Sequence, residues 1–458
     1  MSATQASRPR PRAVFTEGST LRHVLVMTFT GSIGLMAIFV VEFLSLLYIS
    51  WLGDPAVTAG VGFASQVMFF PVSINIGLSI GVSALVARSL GAGDRPAAQR
   101  VAASGLVHTV AVSCLVALAT FPFRSDLLGL LGARGVSLEA GRLFLDWTLP
   151  TLPVMSLGMV LPGLLRAVGD ARRSMYVTLF GAIAVAVLDP LLILWLKLGV
   201  TGAAIAIDVS RCVWVATGLW GAIRVHGMVG RPSRRSVMLD FLPLARVAFP
   251  AVLTNLASPV AMAFSVRVMS GFGESAVAAG AIIDRVVPVA FGVLFAMSGV
   301  AGPIIGQNYG ARLYGRVRDT LTNCFAVSAV YVLATWFLLW LCSPGIVWLF
   351  GATGETARLV TFFCTWGAMA WAFLGCLFAA NAAFNNLDRA FLSTFFNWGR
   401  ATLGTIPFVW FGAKHFGAEG VIMGITFGAA LFGAGAIVCA YWIAGRIEKK
   451  GARDPRMS

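Results

Sequence analysis

The sequence predicts an all-α polytopic membrane protein, with twelve transmembrane helices in two six-helix lobes related by a pseudo-two-fold axis along the membrane normal. Composition is the first indication, because 58% of the 458 residues are hydrophobic, only 12% are charged, and the mean hydropathy is +0.85. Soluble domains carry about 25% charged residues, so this chain has too little charge to cover a soluble surface. Twelve apolar runs and an internal repeat are the other two indications.

Twelve runs reach the length of about 20 apolar residues that a membrane-spanning helix needs. Their approximate limits are 24–50, 57–86, 101–122, 143–165, 174–197, 202–224, 243–270, 276–305, 320–343, 359–384, 391–412 and 418–444. The longest polar connection, 225–240, divides the chain near its middle. We therefore expect tails at 1–22 and 447–458, an N-lobe at 23–226, a linker at 227–240 and a C-lobe at 241–446.

The basic residues predict the orientation of the chain. With the N-terminus in the cytoplasm, 24 Lys and Arg residues fall on the cytoplasmic side and six on the other, and an excess on the cytoplasmic side is the general rule. We therefore expect a multi-pass protein of the plasma (inner) membrane with both termini cytoplasmic. The net charge of +15 follows from this bias, and no basic helix face or RNA-binding signature predicts a nucleic-acid partner.

The two halves of the sequence repeat each other. Residues 52–60 match 272–280 at five of nine positions, 87–92 match 306–311, and 199–202 match 417–420, at offsets of 220, 219 and 218 residues. Such close agreement indicates a duplication. Because six helices is an even number, both halves enter the membrane from the same side, so the repeat axis runs along the membrane normal with a transport path between the halves.

Five short motifs add to this pattern: WLG at 51–53, RSLGAG at 88–93, GLLRAVG at 163–169, LDPLLI at 188–193 and GAAIA at 202–206. Their order, spacing and duplication resemble the multidrug and toxic compound extrusion (MATE) family over nearly the whole chain. The resemblance implies a V-shaped pair of six-helix lobes that exports organic cations or other amphipathic compounds in exchange for H⁺ or Na⁺, without a cofactor.

The sequence departs from the family pattern at several positions. The family often has Asp in the first helix, eight residues before the Gly of the Leu-Gly turn, where this chain has Ser45. Glu42 lies one turn earlier on the same helix face and could replace that carboxylate. Val185, Thr30 and Ser258 stand where the family often has Asn, Pro and, in some members, an acid. These departures bear on the coupling ion and on helix bending, and leave the predicted fold unchanged.

Three acidic residues of the N-terminal half share one predicted depth. At 1.5 Å per residue, Glu42 and Asp189 lie about 12 Å from the outer ends of their helices and Asp208 about 9 Å. Ionisable groups inside a membrane are costly and mark ion or proton pathways, so we interpret all three as proton- or cation-coupling residues. Pro190 frees a carbonyl beside Asp189, which makes Na⁺ a candidate there. For Asp208 an ion pair with Arg211 at i+3 is a strong alternative.

The predicted intramembrane charges of the C-lobe have the opposite balance. Arg267, Arg285, Arg400 and Asp284 sum to +2, against −2 for the N-lobe. Arg267, near a helix end, is expected to extend to the interface. Arg400 lies mid-helix and should contact an acid such as Asp284 or face the cavity. The candidate cavity residues are Ser45, Met262, Asp284, Arg285, Phe291 and Arg400, although packing is an open alternative for the apolar ones.

Prolines predict helix kinks, at Pro71, Pro153, Pro162, Pro259 and Pro288. Two other functions are alternatives. Intramembrane Arg favours a flippase for a lipid-linked sugar, while the acidic N-lobe and the absence of further helices oppose it. A membrane enzyme lacks support, since the four histidines are widely separated and the seven cysteines form no metal motif. We expect a small-molecule substrate, surrounding membrane lipid, and a monomer.

Overall fold

A computed structural model describes residues 13–451 of the protein, which are helical almost throughout and contain no strand. The helices are α1 (Thr20–Ser50), α2 (Pro55–Gly91), α3 (Arg95–Thr120), α4 (Arg124–Leu130), α5 (Val136–Thr148), α6 (Leu152–Ala167), α7 (Ala171–Asp189), α8 (Gly199–Leu219), α9 (Arg234–Ser270), α10 (Glu274–Gly310), α11 (Tyr314–Leu349), α12 (Gly354–Thr365), α13 (Trp371–Asn386), α14 (Ala390–Ala401) and α15 (Ile406–Gly451). Short 3₁₀ turns occupy Val14–Thr16 and Gly367–Ala370, and π-helical turns Pro190–Trp195 and Trp220–Val225 extend α7 and α8.

Within residues 13–451 these helices form twelve membrane-crossing segments, as the sequence predicts. α5 and α6 meet at 62° and together make the fourth span, with Pro153 in the first turn of α6. The prediction of a kink at this proline is therefore confirmed, while Pro71 lies inside the unbroken α2. α12 and α13 make the tenth span on the same plan, separated by a 3₁₀ turn.

The last two spans are joined by a sharp reversal at Gly417. The apolar stretch Ala390–Lys450 is 61 residues long, and a straight helix of that length would be about 90 Å, three times the thickness of the bilayer core. Gly417 breaks it with φ 62° and ψ −146°. On either side, a Cβ on Gly412 would lie 2.1 Å from the carbonyl oxygen of Gly420. The chain therefore folds back on itself, and α15 contributes to both spans.

A crossing of α2 and α10 shows the pseudo-two-fold relation directly. A Cβ on Gly91 would lie 2.0 Å from the carbonyl oxygen of Gln307, and one on Gly310 would lie 2.1 Å from that of Arg88. Gly91 and Gly310 are 219 residues apart, and so are Arg88 and Gln307. A two-fold axis produces such reciprocal contacts. The axis passes through this crossing, and the offset equals that of the sequence repeat.

Contacts between the lobes gather at the end of the molecule that carries the α2–α3 and α10–α11 turns, called here the closed end. Arg88 of α2 pairs with Asp388, which follows α13. Arg166 Nε, at the end of α6, donates to the carbonyl oxygen of Gly299 in α10 at 3.1 Å. Toward the middle of the molecule, Gly77 of α2 packs directly against Val252 of α9. Glycine is needed at position 77 because a side chain there would separate α2 from α9.

The N-terminal segment also binds at the closed end. Phe15 is 1% exposed, its N–H donates to Gln307 Oε1 at 2.9 Å, and its carbonyl oxygen accepts from Arg316 at 2.9 Å. The described part of the predicted tail 1–22 is therefore docked on the C-lobe, whereas residues 1–12 and 452–458 lie outside the described residues. The predicted linker 227–240 is shorter than expected, because α9 already begins at Arg234 with Ser233 as its cap.

Asp170 organises the loop between α6 and α7 at the same end. It caps α7 by accepting the Arg173 N–H, pairs with the Arg173 side chain at 2.5 Å and contacts His226 Nε2 at 2.7 Å. Desolvation opposes ionisation of this carboxyl group, but the hydrogen bonds from Arg173 and His226 hold its pKa below the ordinary value of 3.8. The loop is thereby tied to the end of the sixth span.

Candidate coupling and substrate site

Parallel packing of α1 against α7 positions the first candidate residues. A Cβ on Gly34 would lie 2.0 Å from Thr178 Oγ1, and further along the same helices Ser45 Oγ donates to the Asp189 carboxylate. Both pairs are 144 residues apart, so the two helices keep one register over about 16 Å. The absence of a side chain at Gly34 allows the close approach that brings Ser45 and Asp189 together.

Asp189 has one satisfied and one unsatisfied carboxylate oxygen. The residue is 1% exposed; Oδ2 accepts from Ser45, and Oδ1 is buried without a hydrogen-bond partner among the described residues. Leaving such an oxygen unpaired costs about 1–3 kcal/mol, and more when it is charged. Pro190 has no N–H to donate to the carbonyl of Ala186, one turn earlier. A proton or a cation bound at Oδ1 would satisfy this oxygen, to which the described residues donate no hydrogen bond.

Glu42 lies on the side of α1 that is turned away from the lipid. The exposed apolar residues Ile33 and Val40, 54% and 51% exposed, mark the lipid side of α1. At 100° per residue, Glu42 lies about 170° from that side, and it is itself exposed. The α1–α7 register places it level with Ala186, one turn below Asp189. Glu42 and Asp189 therefore lie within one helical turn of each other along the helix axes, and no hydrogen bond joins them.

Asp208 belongs to a separate buried network. Its carboxylate accepts from Thr151 Oγ1 at 2.6 Å and pairs with Arg211 Nη1 at 3.1 Å. Arg211 also donates to the carbonyl oxygen of Thr148 at 2.7 Å. These contacts join α8 to the bend between α5 and α6, and they correspond to the ion-pair alternative. Asp208 and Asp189 therefore point toward different neighbours.

Arg400, in the eleventh span, lacks the acid predicted for it. Its Nη2 donates to Ser258 Oγ at 3.1 Å, and its Nε is buried without a hydrogen-bond partner in the described part of the chain. Among residues 13–451 no ion pair joins it to a carboxylate. Of the two expected alternatives, contact with an acid such as Asp284 or a position facing the cavity, the first is therefore wrong. The reason is local, because the neighbouring helix α9 presents the Ser258 hydroxyl to Arg400 rather than a carboxylate.

Ser258 and Met262 share the interior face of α9. They lie one turn apart. Phe249 and Val260, which are 57% and 42% exposed, mark the lipid side of α9. Ser258 and Met262 lie about 170° around the helix from that side. Met262 is 51% exposed. The position of Met262 is consistent with the predicted cavity wall.

The three remaining candidates, Asp284, Arg285 and Phe291, all lie on α10 but have different surroundings. Arg285 lies two turns before Gly292, which packs on Met36 of α1, so Arg285 is on the face of α10 toward the N-lobe. Asp284 lies two turns before Phe291, and both acid and arginine are exposed. Phe291 is 0% exposed and stacks on Trp371 at 4.7 Å. The predicted cavity role of Phe291 is therefore wrong, because its ring is part of the C-lobe core.

Known proteins resemble this chain over most of its length. Residues 32–191 and 250–411 match the MatE family model. An FAD transporter of Shewanella oneidensis is 28% identical over 433 residues, covering 93% of this chain and 94% of that protein. The multidrug export protein MepA of Staphylococcus aureus is 22% identical over 361 residues, covering 76% and 77%.

Solved structures share the fold. A mutant of the Vibrio cholerae MATE transporter VcmN superposes with a TM-score of 0.89 at 22% identity, covering 95% of this chain and 99% of that one. A MOP superfamily transporter from Pyrococcus furiosus gives a TM-score of 0.89 at 20% identity, covering 96% and 99%. The two-lobe arrangement of twelve spans is therefore common to these structures and to this chain.

Proposed function

Because the chain belongs to the multidrug and toxic compound extrusion (MATE) family of membrane transporters, we propose that it exports amphipathic organic compounds in exchange for H⁺ or Na⁺. The membership confirms the resemblance drawn from the motifs. The observation that carries the proposed coupling is the buried, unpartnered Oδ1 of Asp189. The flippase alternative gains no support, and the related proteins with a stated activity are transporters or export proteins.

Competition for one negative charge makes the exchange obligatory in this proposal. An ionised Asp189 attracts either the coupling ion or, together with Glu42 in the cleft, the positive group of a substrate. Protonation or Na⁺ binding from the outer side removes that attraction and releases the substrate. The ion is then discharged to the cytoplasm after the lobes have reopened on that side. A ligand can drive such a change only through its different affinity for the two states.

Two candidate ions fit the chemistry of the site. A proton would let Asp189 Oδ1 donate instead of remaining an unpaired acceptor. Sodium prefers oxygen ligands, and the site offers the carboxylate and the Ser45 hydroxyl. Pro190 donates no hydrogen bond to the Ala186 carbonyl, one turn earlier, which makes that carbonyl a further candidate ligand. Both ions therefore remain within the proposal.

Purified protein in liposomes tests the proposal. With an imposed pH or Na⁺ gradient and fluorescent cations such as rhodamine 123 or ethidium, we expect accumulation on the side opposite to the ion source. Accumulation should collapse on adding a protonophore if H⁺ is the coupling ion, or depend on Na⁺ if sodium is. A protein that accumulates no compound of the panel under either gradient would contradict the proposed exchange.

Glu42→Gln should weaken coupling without abolishing it. Glutamine keeps the shape and polarity of the side chain but removes the charge that faces the cleft, while the Asp189–Ser45 pair is untouched. We expect a severalfold slower export of rhodamine 123 and a displaced pH profile in the liposome assay. Phe43→Leu, a change at the neighbouring exposed residue, is the control. Wild-type rates and pH dependence in Glu42→Gln would remove Glu42 from the site.

The closed end is proposed to face the cytoplasm, with both termini on that side. Its C-lobe half contains a cavity of about 1540 Å³, remote from the membrane acids. Six basic residues line that cavity: Arg246, Arg312, Arg389, Arg446, Lys449 and Lys450. This concentration agrees with the excess of basic residues expected on the cytoplasmic side.

Ser233→Cys tests the orientation. Ser233 lies in the connection before α9 and is exposed. In a cysteine-free background, a membrane-impermeant maleimide should label this position in inverted vesicles and not in intact cells. Ser50→Cys, at the other end of the first span and also exposed, should show the reverse pattern. Labelling of Ser233→Cys in intact cells would overturn the proposed orientation.

A further inference from the structure

We propose that Arg400, together with Ser258, binds the carboxylate or phosphate group of exported compounds, so that the cleft accepts anionic and zwitterionic amphiphiles as well as cations. This inference rests on the proposed export function and adds a substrate class to it. It is carried by three observations: the depth of Arg400, its missing partner, and the direction of its side chain.

Arg400 lies near the middle of the membrane. It is ten residues beyond the start of α14 at Ala390, about 15 Å along a helix, which is half the thickness of the hydrocarbon core. A guanidinium at this depth is costly unless it is paired or hydrated, and such residues mark functional pathways by default. The side chain of Arg400 is therefore too far from the interface to reach it, in contrast to Arg267, which lies near the end of α9.

The guanidinium has donors to spare. Nη2 is used by Ser258, while Nε is buried and has no partner among the described residues. A carboxylate or phosphate pairs with arginine through two parallel N–H···O bonds, and the planar guanidinium fork has the geometry for this. Ser258 accepts from Arg400 and keeps its own hydroxyl proton for a further acceptor. An anion placed between them would satisfy both groups.

The surroundings of α14 direct Arg400 inward. Trp398 Nε1 donates to the carbonyl of Leu253 in α9, so Trp398 faces α9. Asn397, one turn before Arg400, donates to Asn381 Oδ1 in α13 at 3.0 Å. Arg400 shares the α13 side of the helix with Asn397 and reaches Ser258 on the interior face of α9. The side chain thus borders the interior of the molecule.

The two walls of the cleft consequently differ in charge. On the N-lobe side stands Glu42, with Asp189 buried one turn further. On the C-lobe side stand Arg400 and Arg285, which faces the N-lobe from α10, with Asp284 as the acid of that wall. A molecule with a cationic and an anionic group can satisfy both walls at once, and a purely anionic one can be held by the C-lobe alone. Opposite charges on the walls thus define a polarity for the bound substrate.

A matched pair of dyes tests the proposal by binding. Fluorescence polarisation of carboxyfluorescein, an anion, and rhodamine 123, a cation, is measured on purified protein in phosphatidylcholine nanodiscs. Arg400→Gln should weaken carboxyfluorescein binding about 10- to 100-fold, the effect of losing a bidentate charge-assisted contact, and leave rhodamine 123 within about threefold. Arg400→Lys should recover part of the affinity, because it restores the charge without the fork.

Arg267→Gln is the control variant, since it removes the same charge from the lipid-facing side of α9. It should leave the binding of both dyes unchanged. Carboxyfluorescein affinity that is unaltered in Arg400→Gln, or an equal loss of both dyes in a protein with a wild-type melting temperature, overturns the proposal. If Arg400→Gln does not fold, Ser258→Ala replaces it, and a selective loss of carboxyfluorescein binding is again required.

A lipid head group is the other source of the same chemistry. Nanodiscs that contain phosphatidylglycerol distinguish it. If this lipid competes with carboxyfluorescein for the wild-type protein but not for Arg400→Gln, the lipid is the occupant, and the assignment to exported compounds is overturned. The outcome is separable from the export proposal, because gradient-dependent rhodamine 123 export by the wild-type protein and by Arg267→Gln tests export without reference to Arg400. An inactive wild-type protein would defeat the export proposal while leaving the dye binding readable.

Discussion

Asp189→Asn should abolish ion-driven export while leaving the protein folded. Asparagine has the size of aspartate and still accepts the Ser45 hydroxyl through its carbonyl oxygen, so the α1–α7 contact survives. It can neither take up a proton nor contribute negative charge to Na⁺, and the competition between ion and substrate is lost. We expect the initial rate of gradient-driven rhodamine 123 export in liposomes to fall at least about tenfold, the change that 1.4 kcal/mol of lost interaction produces.

Asp54→Asn is the matched control for this variant. Asp54 caps α2 by accepting the Ala56 N–H at 2.8 Å, and asparagine caps a helix equally well. The same chemical change should therefore leave export and melting temperature unaltered. Export by Asp189→Asn at the wild-type rate and pH profile would show that the coupling site is elsewhere. Asp208 and Asp284 would then be the first alternatives.

The sequence predicts a depth for the acids but not their neighbours. Counting residues from the helix ends suffices for depth, because a helix rises uniformly. The contact between Ser45 and Asp189 depends on how α1 and α7 are placed side by side, and this depends on the close approach at Gly34. In the sequence, Ser45 is a departure from the family pattern. Its role as a donor to Asp189 could be found only from the register of the two helices.

Two other assignments failed because they depend on tertiary packing. Periodicity cannot distinguish a ring that faces a cavity from one that packs in a core, and Phe291 stacks on Trp371 inside the C-lobe. Likewise Arg400 and Asp284 have opposite charges, but among residues 13–451 no ion pair joins them, and Arg400 contacts Ser258 instead. By contrast, the twelve spans, the repeat and the kink at Pro153 were accessible from the sequence, since hydropathy and proline act locally.

Gly91→Ala and Gly310→Ala should each prevent closure of the lobes. A single added Cβ would lie 2.0 Å from the Gln307 carbonyl oxygen or 2.1 Å from that of Arg88, and backbone atoms cannot move aside as a flexible side chain can. In the open state at this end the two helices separate and the methyl group is accommodated. Since alanine favours a helix by about 1 kcal/mol over glycine, we expect folding to be preserved and the conformational equilibrium to change.

The expected result is a loss of at least about tenfold in export rate, the effect of a shift of 1.4 kcal/mol against the closed state. Spin labels on Asp94→Cys and Arg389→Cys, exposed residues of opposite lobes at the closed end, should report a longer and broader distance distribution. Gly62→Ala and Gly280→Ala, on the same two helices with nothing within 4 Å of the added carbon, should change neither rate nor distance. Because Gly91 and Gly310 occupy equivalent positions about the pseudo-two-fold axis, the two variants should behave alike. A fully active Gly91→Ala with wild-type distances would show that the α2–α10 crossing takes no part in the transport cycle.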